Sequence, residues 1–104
     1  MAIINTTITT GSAANVYVSS GNSAITAIYL CNIDSTARTF DLYAAASGNI
    51  VTPASTRIYS AVNVQAGDTY VIDSEKLILS SGDMLKANAS GANSFSVTVS
   101  YIGI

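Results

Sequence analysis

Ser94-Phe95-Ser96-Val97-Thr98-Val99-Ser100-Tyr101 alternates without a break. Phe95, Val97, Val99 and Tyr101 take one parity, and Ser94, Ser96, Thr98 and Ser100 take the other. Successive side chains of a strand point to opposite faces, so a period of two predicts a β-strand with one apolar and one hydroxyl-lined face.

The same grammar spreads outward from this stretch. Ile4 shares a parity with Ile8 over 3–10, and Val16 shares one with Val18. Phe40, Leu42 and Ala44 alternate with Thr39, Asp41 and Tyr43. Ile58, Val62 and Val64 agree in parity across 57–65, and Tyr70 with Ile72 follows a turn. Leu85, Ala87 and Ala89 alternate with Lys86 and Asn88. The run Ala24-Ile25-Thr26-Ala27-Ile28-Tyr29-Leu30-Cys31 is apolar at both parities. That predicts a strand covered on both sides, either central in a sandwich or half inside a subunit contact.

Turn residues cut these runs at short intervals: Gly11-Ser12, Gly21-Asn22, Gly48-Asn49, Gly67-Asp68, Gly82-Asp83 and Gly91-Ala92. Glycine at such points supplies the positive φ that tight turns need. The longest loop is 48–56, around Pro53. Stretches 74–77 and 44–46 have room for one helical turn each, too short to stand alone. The expectation is an all-β fold with almost no helix. One antiparallel β-sandwich of about eight short strands spans residues 1–104 as a single domain. Jelly-roll and immunoglobulin-like topologies both satisfy these local signals.

Composition narrows the function. Charged residues make up 10 % of the 104 residues, against roughly 25 % in ordinary soluble domains. Serine and threonine together number 26. Four Lys/Arg cannot build the basic patch that displaces counterions from phosphates, so no nucleic-acid partner is expected. The same shortage argues against anionic membranes. No run of apolar residues is long enough for a membrane helix, and Met1-Ala2-Ile3-Ile4-Asn5 lacks the positive start of a secretory signal. With no histidine, Ser-His-Asp, Cys-His and His-ligated metal chemistry fall away. A single cysteine, Cys31, gives neither an internal disulfide nor a thiolate zinc site.

Three acidic or nucleophilic features need weighing. Asp73 and Glu75 lie two apart, but a glycosidase needs two carboxyls about 5–10 Å apart in a sugar-lined cleft. Here Ser74 and Lys76 describe a solvated turn instead. Asp68 and Asp83 each follow a glycine, yet calcium wants six to eight oxygens, and neither loop has a second acid. Turn capping explains both aspartates. Cys31, with no cation near it in sequence, reads as a small buried hydrophobe. No catalytic residue, metal ligand or cofactor site is assigned, and no enzyme is expected.

The tyrosines divide by parity. Tyr29, Tyr70 and Tyr101 fall with core residues, whereas Tyr17, Tyr43 and Tyr59 point the other way. Outward tyrosines anchor protein interfaces or stack on sugars. A surface of Ser, Thr, Asn and Ala without mixed charge suits protein contact, and strand edges without lysine invite pairing with another chain. Tyr17, Tyr43 and Tyr59, with Ile102 and Ile104 at the end of the chain, are therefore the expected assembly interface. The expected product is a homo-oligomeric building block made in many copies.

Several strings resemble the small β-rich virion structural proteins of tailed bacteriophages, particularly marine ones. They are Ser23-Ala24-Ile25-Thr26-Ala27-Ile28-Tyr29-Leu30-Cys31-Asn32, Arg38-Thr39-Phe40-Asp41-Leu42-Tyr43, Ala66-Gly67-Asp68-Thr69-Tyr70-Val71-Ile72-Asp73 with Leu77-Ile78-Leu79-Ser80-Ser81-Gly82-Asp83, and Val97-Thr98-Val99-Ser100-Tyr101-Ile102. The likeness spans 20–104 and consists of strand-and-turn patterns, not catalytic motifs. It implies a non-enzymatic part of a phage particle, located in the virion and made in the host cytoplasm. The favoured role is a capsid decoration (cement) protein whose first partner is the major capsid protein. The alternatives are a neck, tail or baseplate accessory contacting neck or tail proteins, and a host-glycan-binding module using the outward tyrosines with Asn22, Asn49, Asn88 and Asn93.

Overall fold

The computed structural model describes residues 2–8, 14–48, 56–73, 77–91 and 93–104. Nine strands follow one another: β1 (Ala2–Ile8), β2 (Ala14–Val18), β3 (Ser23–Asn32), β4 (Arg38–Ala45), β5 (Arg57–Val64), β6 (Thr69–Ile72), β7 (Leu77–Leu79), β8 (Met84–Ala89) and β9 (Phe95–Gly103). Ala44 and Ala45 belong to β4, so 44–46 does not form the helical turn its length allowed; of the other such stretch, 74–77, only Leu77, which opens β7, is among the described residues. Pro53, Gly11-Ser12, Ser74, Glu75, Lys76, Asn49 and Ala92 lie outside the described residues.

Every pairing is antiparallel. One sheet, called here the β1 sheet, runs β1-β9-β3-β6, with β7 also on β3. The other, the β2 sheet, runs β2-β8-β4-β5. β6 and β7 lie along the same side of β3, β6 opposite Ile28–Cys31 and β7 opposite Ser23–Ile25. They are two halves of one lane, which reconciles nine strands with an expectation of about eight.

The order settles the topology. β1 pairs β9, β2 pairs β8, β3 pairs β6 and β7, and β4 pairs β5. The pairs nest, like one long hairpin with its bend between β4 and β5, and the doubled ribbon rolls into two layers. Consecutive strands therefore hop between sheets, whereas an immunoglobulin-like sandwich keeps several neighbours within one sheet. This is a jelly-roll sandwich.

The core lies between the layers. Phe95, Val97 and Val99 of β9 are fully buried there with Ile8, Ile25, Ile28 and Leu30, facing Val16, Phe40, Leu42 and Leu85 of the other sheet. Phe40 meets Phe95 edge-on at 5.6 Å and 74°, the geometry aromatic quadrupoles favour. The alternation in β9 thus resolves as expected, its serines and threonine turned outward.

Elsewhere bulges switch the parity. Relative to β8, β2 carries an extra residue between Asn15 and Tyr17, so Val16 and Tyr17 both turn inward while Val18 is exposed. Relative to β9, β3 carries one between Ile25 and Ala27. The residue there, Thr26, anchors the bulge by donating to the Ser100 carbonyl at 3.0 Å, with its hydroxyl 2.8 Å from Ser100 Oγ. Ile25 faces in before the bulge and Ile28 and Leu30 face in after it. The run that looked apolar on both faces is a central strand that changes parity midway.

β5 slips twice against β4, around Ala61 and around Ile58. Ala61 takes φ 48°, and its amide donates to Asp41 Oδ1 at 2.6 Å. Consequently Tyr59, Val62 and Val64 pack on the core while Ile58 is exposed, against the parity expected from sequence. Ile4 keeps the parity of Ile8 but is exposed, because β1 is an edge strand. Gly21, Gly48, Gly67 and Gly82 adopt the positive φ their turns require, whereas Asn93 takes that role near Gly91.

Candidate functional site: the outer face of the β1 sheet

The strands of the β1 sheet carry no charged residue at all. The four charges borne on strands, Arg38, Asp41, Arg57 and Lys86, all belong to the β2 sheet. Asp34, Asp68, Asp73 and Asp83 sit in the connections. Charge is therefore segregated by layer.

Register lays out the uncharged face row by row. Ile78, Ala24 and Ile102 stand side by side on β7, β3 and β9. Val71, Tyr29, Thr98 and Asn5 form the next complete row, across β6, β3, β9 and β1. Thr69, Cys31, Ser96 and Thr7 form another. Between them Ala27 and Ser100 lead to Ile3 on β1. Ile3, Tyr29, Val71, Ile78 and Ile102 are all exposed, Ile78 to 67 %. Large apolar side chains here share a pleated surface with short hydroxyls, and no ion interrupts them.

This placement corrects the expected interface. Tyr17 is 5 % exposed: the β2 bulge turns it into the core, where it stacks on Tyr101 and its hydroxyl lies 2.7 Å from Ser23 Oγ. Tyr43 does stand outside the core cluster, but it is only 6 % exposed, flanked in register by Arg57 and Lys86. Tyr59 faces inward. None of the three tyrosines reaches the uncharged face. Ile102 and Ile104 are exposed and so do not pack within the subunit; the Ile104 amide donates to the Asn22 carbonyl at 3.0 Å.

Sequence reasoning missed Tyr29, Val71, Ile78 and Ile3 as surface residues. Tyr29 was grouped with the core because the bulge at Thr26 cannot be read from parity. Cys31 follows Tyr29 outward and is half-buried instead of buried. Tyr70 keeps core parity, its ring 5.6 Å from Phe40 and 6.2 Å from Tyr59, but lies exposed at the sheet edge.

Of the acidic candidates, Asp83 resolves as turn chemistry. Asp83 accepts the Ser47 and Ser80 amides at 2.9 Å each, and those two bonds hold its carboxyl below the usual aspartate range. Asp34 lies lower too, first through its bond to Arg38 and then through the Ser35 amide; the Arg38 Nε to Asp34 Oδ2 distance is 2.7 Å. Asp68 is exposed, its amide closing a turn onto Gln65. Asp73 is exposed, and its expected companion Glu75 lies outside the described residues. Among the described residues no three acidic or thiol groups converge. A cavity of about 420 Å³ opens between the layers, lined among the described residues by Ile28, Leu42, Ile58, Tyr59, Ile72 and Leu77. That lining offers hydrocarbon and a phenol, with no carboxylate or amine to move a proton.

Fold and surface together define a jelly-roll sandwich in which the strands of one sheet carry no charge. Compared with protein-family models, curated proteins and solved structures, the chain matches none.

Proposed function

We propose that this chain is a non-enzymatic structural subunit of a phage particle, a capsid decoration protein that docks on the shell through the outer face of the β1 sheet. The observation that carries the docking role is the segregation of charge: every strand-borne ion lies on the β2 sheet, and five large apolar side chains are exposed on the outer face of the other. Interface cores are depleted of charge and rich in aromatic and aliphatic groups.

The phage assignment rests on the resemblance of the strand-and-turn strings. Jelly rolls build capsids, lectins and cupins alike, so the fold alone chooses none of these. The glycan-binding alternative draws on the outward tyrosines and on Asn22, Asn49, Asn88 and Asn93; Tyr17 and Tyr43 are buried, which removes them from that argument and leaves the asparagines.

Quantitative mass spectrometry of purified particles, with the major capsid protein as standard, tests the proposal. Hundreds of copies per particle are expected for a decoration protein. A dozen or so would move the subunit to the neck or tail, and absence from particles would overturn the reading. Ile78→Lys and Tyr29→Lys, both on the uncharged face, should abolish binding to particles stripped of this protein, whereas Lys86→Gln on the opposite sheet should not.

A further inference from the structure

A two-layer sandwich has four edge strands, and here three of them are protected. β6 and β7 are only four and three residues long, with Asp68 and Asp73 flanking β6. β2 is kinked by its bulge. β5 begins with Arg57 and slips register twice, with Ala61 at positive φ. Shortness, charge and bulges are the devices by which proteins keep sheet edges from recruiting other chains. β1 has none of them. It runs seven residues, matches β9 through seven unbroken register pairs, and contains no charge and no proline. Among the described residues it pairs with β9 alone.

Side chains tell the same story as the backbone. Ile3 and Ile4 are neighbours and so lie on opposite faces of the sheet, yet both are exposed. A strand laid beside β1 would cover both at once and satisfy the row of N–H and C=O groups that has no strand partner among the described residues.

We infer that the occupant of this edge is a second copy of the same chain, joined β1 to β1 antiparallel about a two-fold axis normal to the sheet. Centring the pair on Asn5 uses all seven residues: Ala2 faces Ile8, Ile3 faces Thr7, Ile4 faces Thr6, and Asn5 faces its own mate. Opposed positions agree in parity throughout, so each side chain keeps its face; a slip by one residue would turn every one over. Across a two-fold axis a patch meets itself, and any charge on it would meet its like. β1 and the strands behind it carry none. The union makes one continuous sheet, β6-β3-β9-β1 followed by its mirror order, and sets both uncharged faces on the same side. The inference rests on the assembly reading only in taking this chain for a subunit, and its test needs no particle.

Sedimentation equilibrium of the purified chain should give twice the 10.7 kDa chain mass. Hydrogen exchange should show protection at consecutive β1 amides, where an open edge protects only alternate ones. Ile4→Lys places an inward charge near the axis and should weaken the dimer at least about tenfold. Thr7→Lys, on the exposed side of β1, should do the same and carries the test if Ile4→Lys fails to fold. Ile78→Lys lies across the sheet from β1 and should leave the dimer intact. A monomeric wild-type chain, a dimer that survives both β1 lysines, or a dimer broken by Ile78→Lys would overturn the inference. A wild-type dimer that does not bind stripped particles would instead strike only at the docking proposal.

Discussion

Tyr17 of β2 and Tyr101 of β9 meet across the two layers with ring centroids 4.7 Å apart and planes tilted by 43°. The pair links the two sheets. The Tyr17 hydroxyl lies 2.7 Å from Ser23 Oγ, which in turn lies 2.8 Å from Ser19 Oγ. Tyr17→Ala removes a buried ring and should cost about 3–5 kcal/mol, whereas Tyr17→Phe forfeits one hydrogen bond, about 1 kcal/mol. Urea unfolding of the two variants measures both; equal losses would show that the ring contributes little.

β9 offers a sharper contrast between its faces. Val97 is fully buried, while Thr98 beside it faces outward. Val97→Asp buries an unpaired charge and should prevent folding. Thr98→Asp should fold with stability within about 0.5 kcal/mol of wild type but fail to bind particles, since it puts the first charge on the uncharged face. Circular dichroism and a pull-down on stripped particles separate the two effects.

Acid should loosen the connection between β4 and β8. The Asp83 carboxyl is held below the usual aspartate value by the Ser47 and Ser80 amides. A depressed acid stabilises the fold fully above its unfolded pKa, about 3.9, and loses that contribution as the pH falls through the lower folded value. Thermal melts should therefore drop below about pH 4, and Asp83→Asn should flatten part of that drop. Unchanged slopes in the variant would mean the two bonds do not persist in solution.

Ala61 sits at φ 48° in the β5 bulge, where an L side chain costs about 1–2 kcal/mol and glycine costs little. Ala61→Gly should leave stability unchanged or raise it by about 0.5 kcal/mol. Ala87→Gly, in regular β8 and fully buried, should lower it by about 1 kcal/mol or more. The opposite signs, read from denaturant midpoints, identify the bulge.

Docking without ions also has a salt signature. Binding through the β1 sheet should vary little with sodium chloride, because screening acts on charges. It should strengthen in sulfate, which is excluded from apolar surface. A steep loss of binding between low and moderate sodium chloride would place the contact on the β2 sheet, with Arg57 and Lys86.

What the sequence made legible follows from where its strands are regular. β9 and β8 keep strict alternation, and their core faces appear at once in Val97, Val99, Leu85 and Ala87. The parity of Tyr17, Tyr29 and Tyr59 was lost because one extra residue in β2, β3 or β5 flips everything beyond it. No residue type announces such a bulge: Val16, Thr26 and Ala61 are ordinary strand or surface residues. The scarcity of charge was plain in the composition, but its segregation by layer needed the pairing of β1 with β9, which no local pattern encodes. Ile102 and Ile104 stand out in the sequence as interface candidates; the neighbours that make a surface of Ile102 come from β3 and β7.

The nested pairing has a consequence for how the molecule is made. β1 leaves the ribosome first, yet its partner β9 begins only at Phe95. At about 5–20 residues per second, synthesis leaves β1 waiting roughly 5–20 s for that partner. Throughout that interval β1, an uncharged strand, has not yet met β9. Prolonged translation pauses before β9 should therefore favour aggregates over folded subunits.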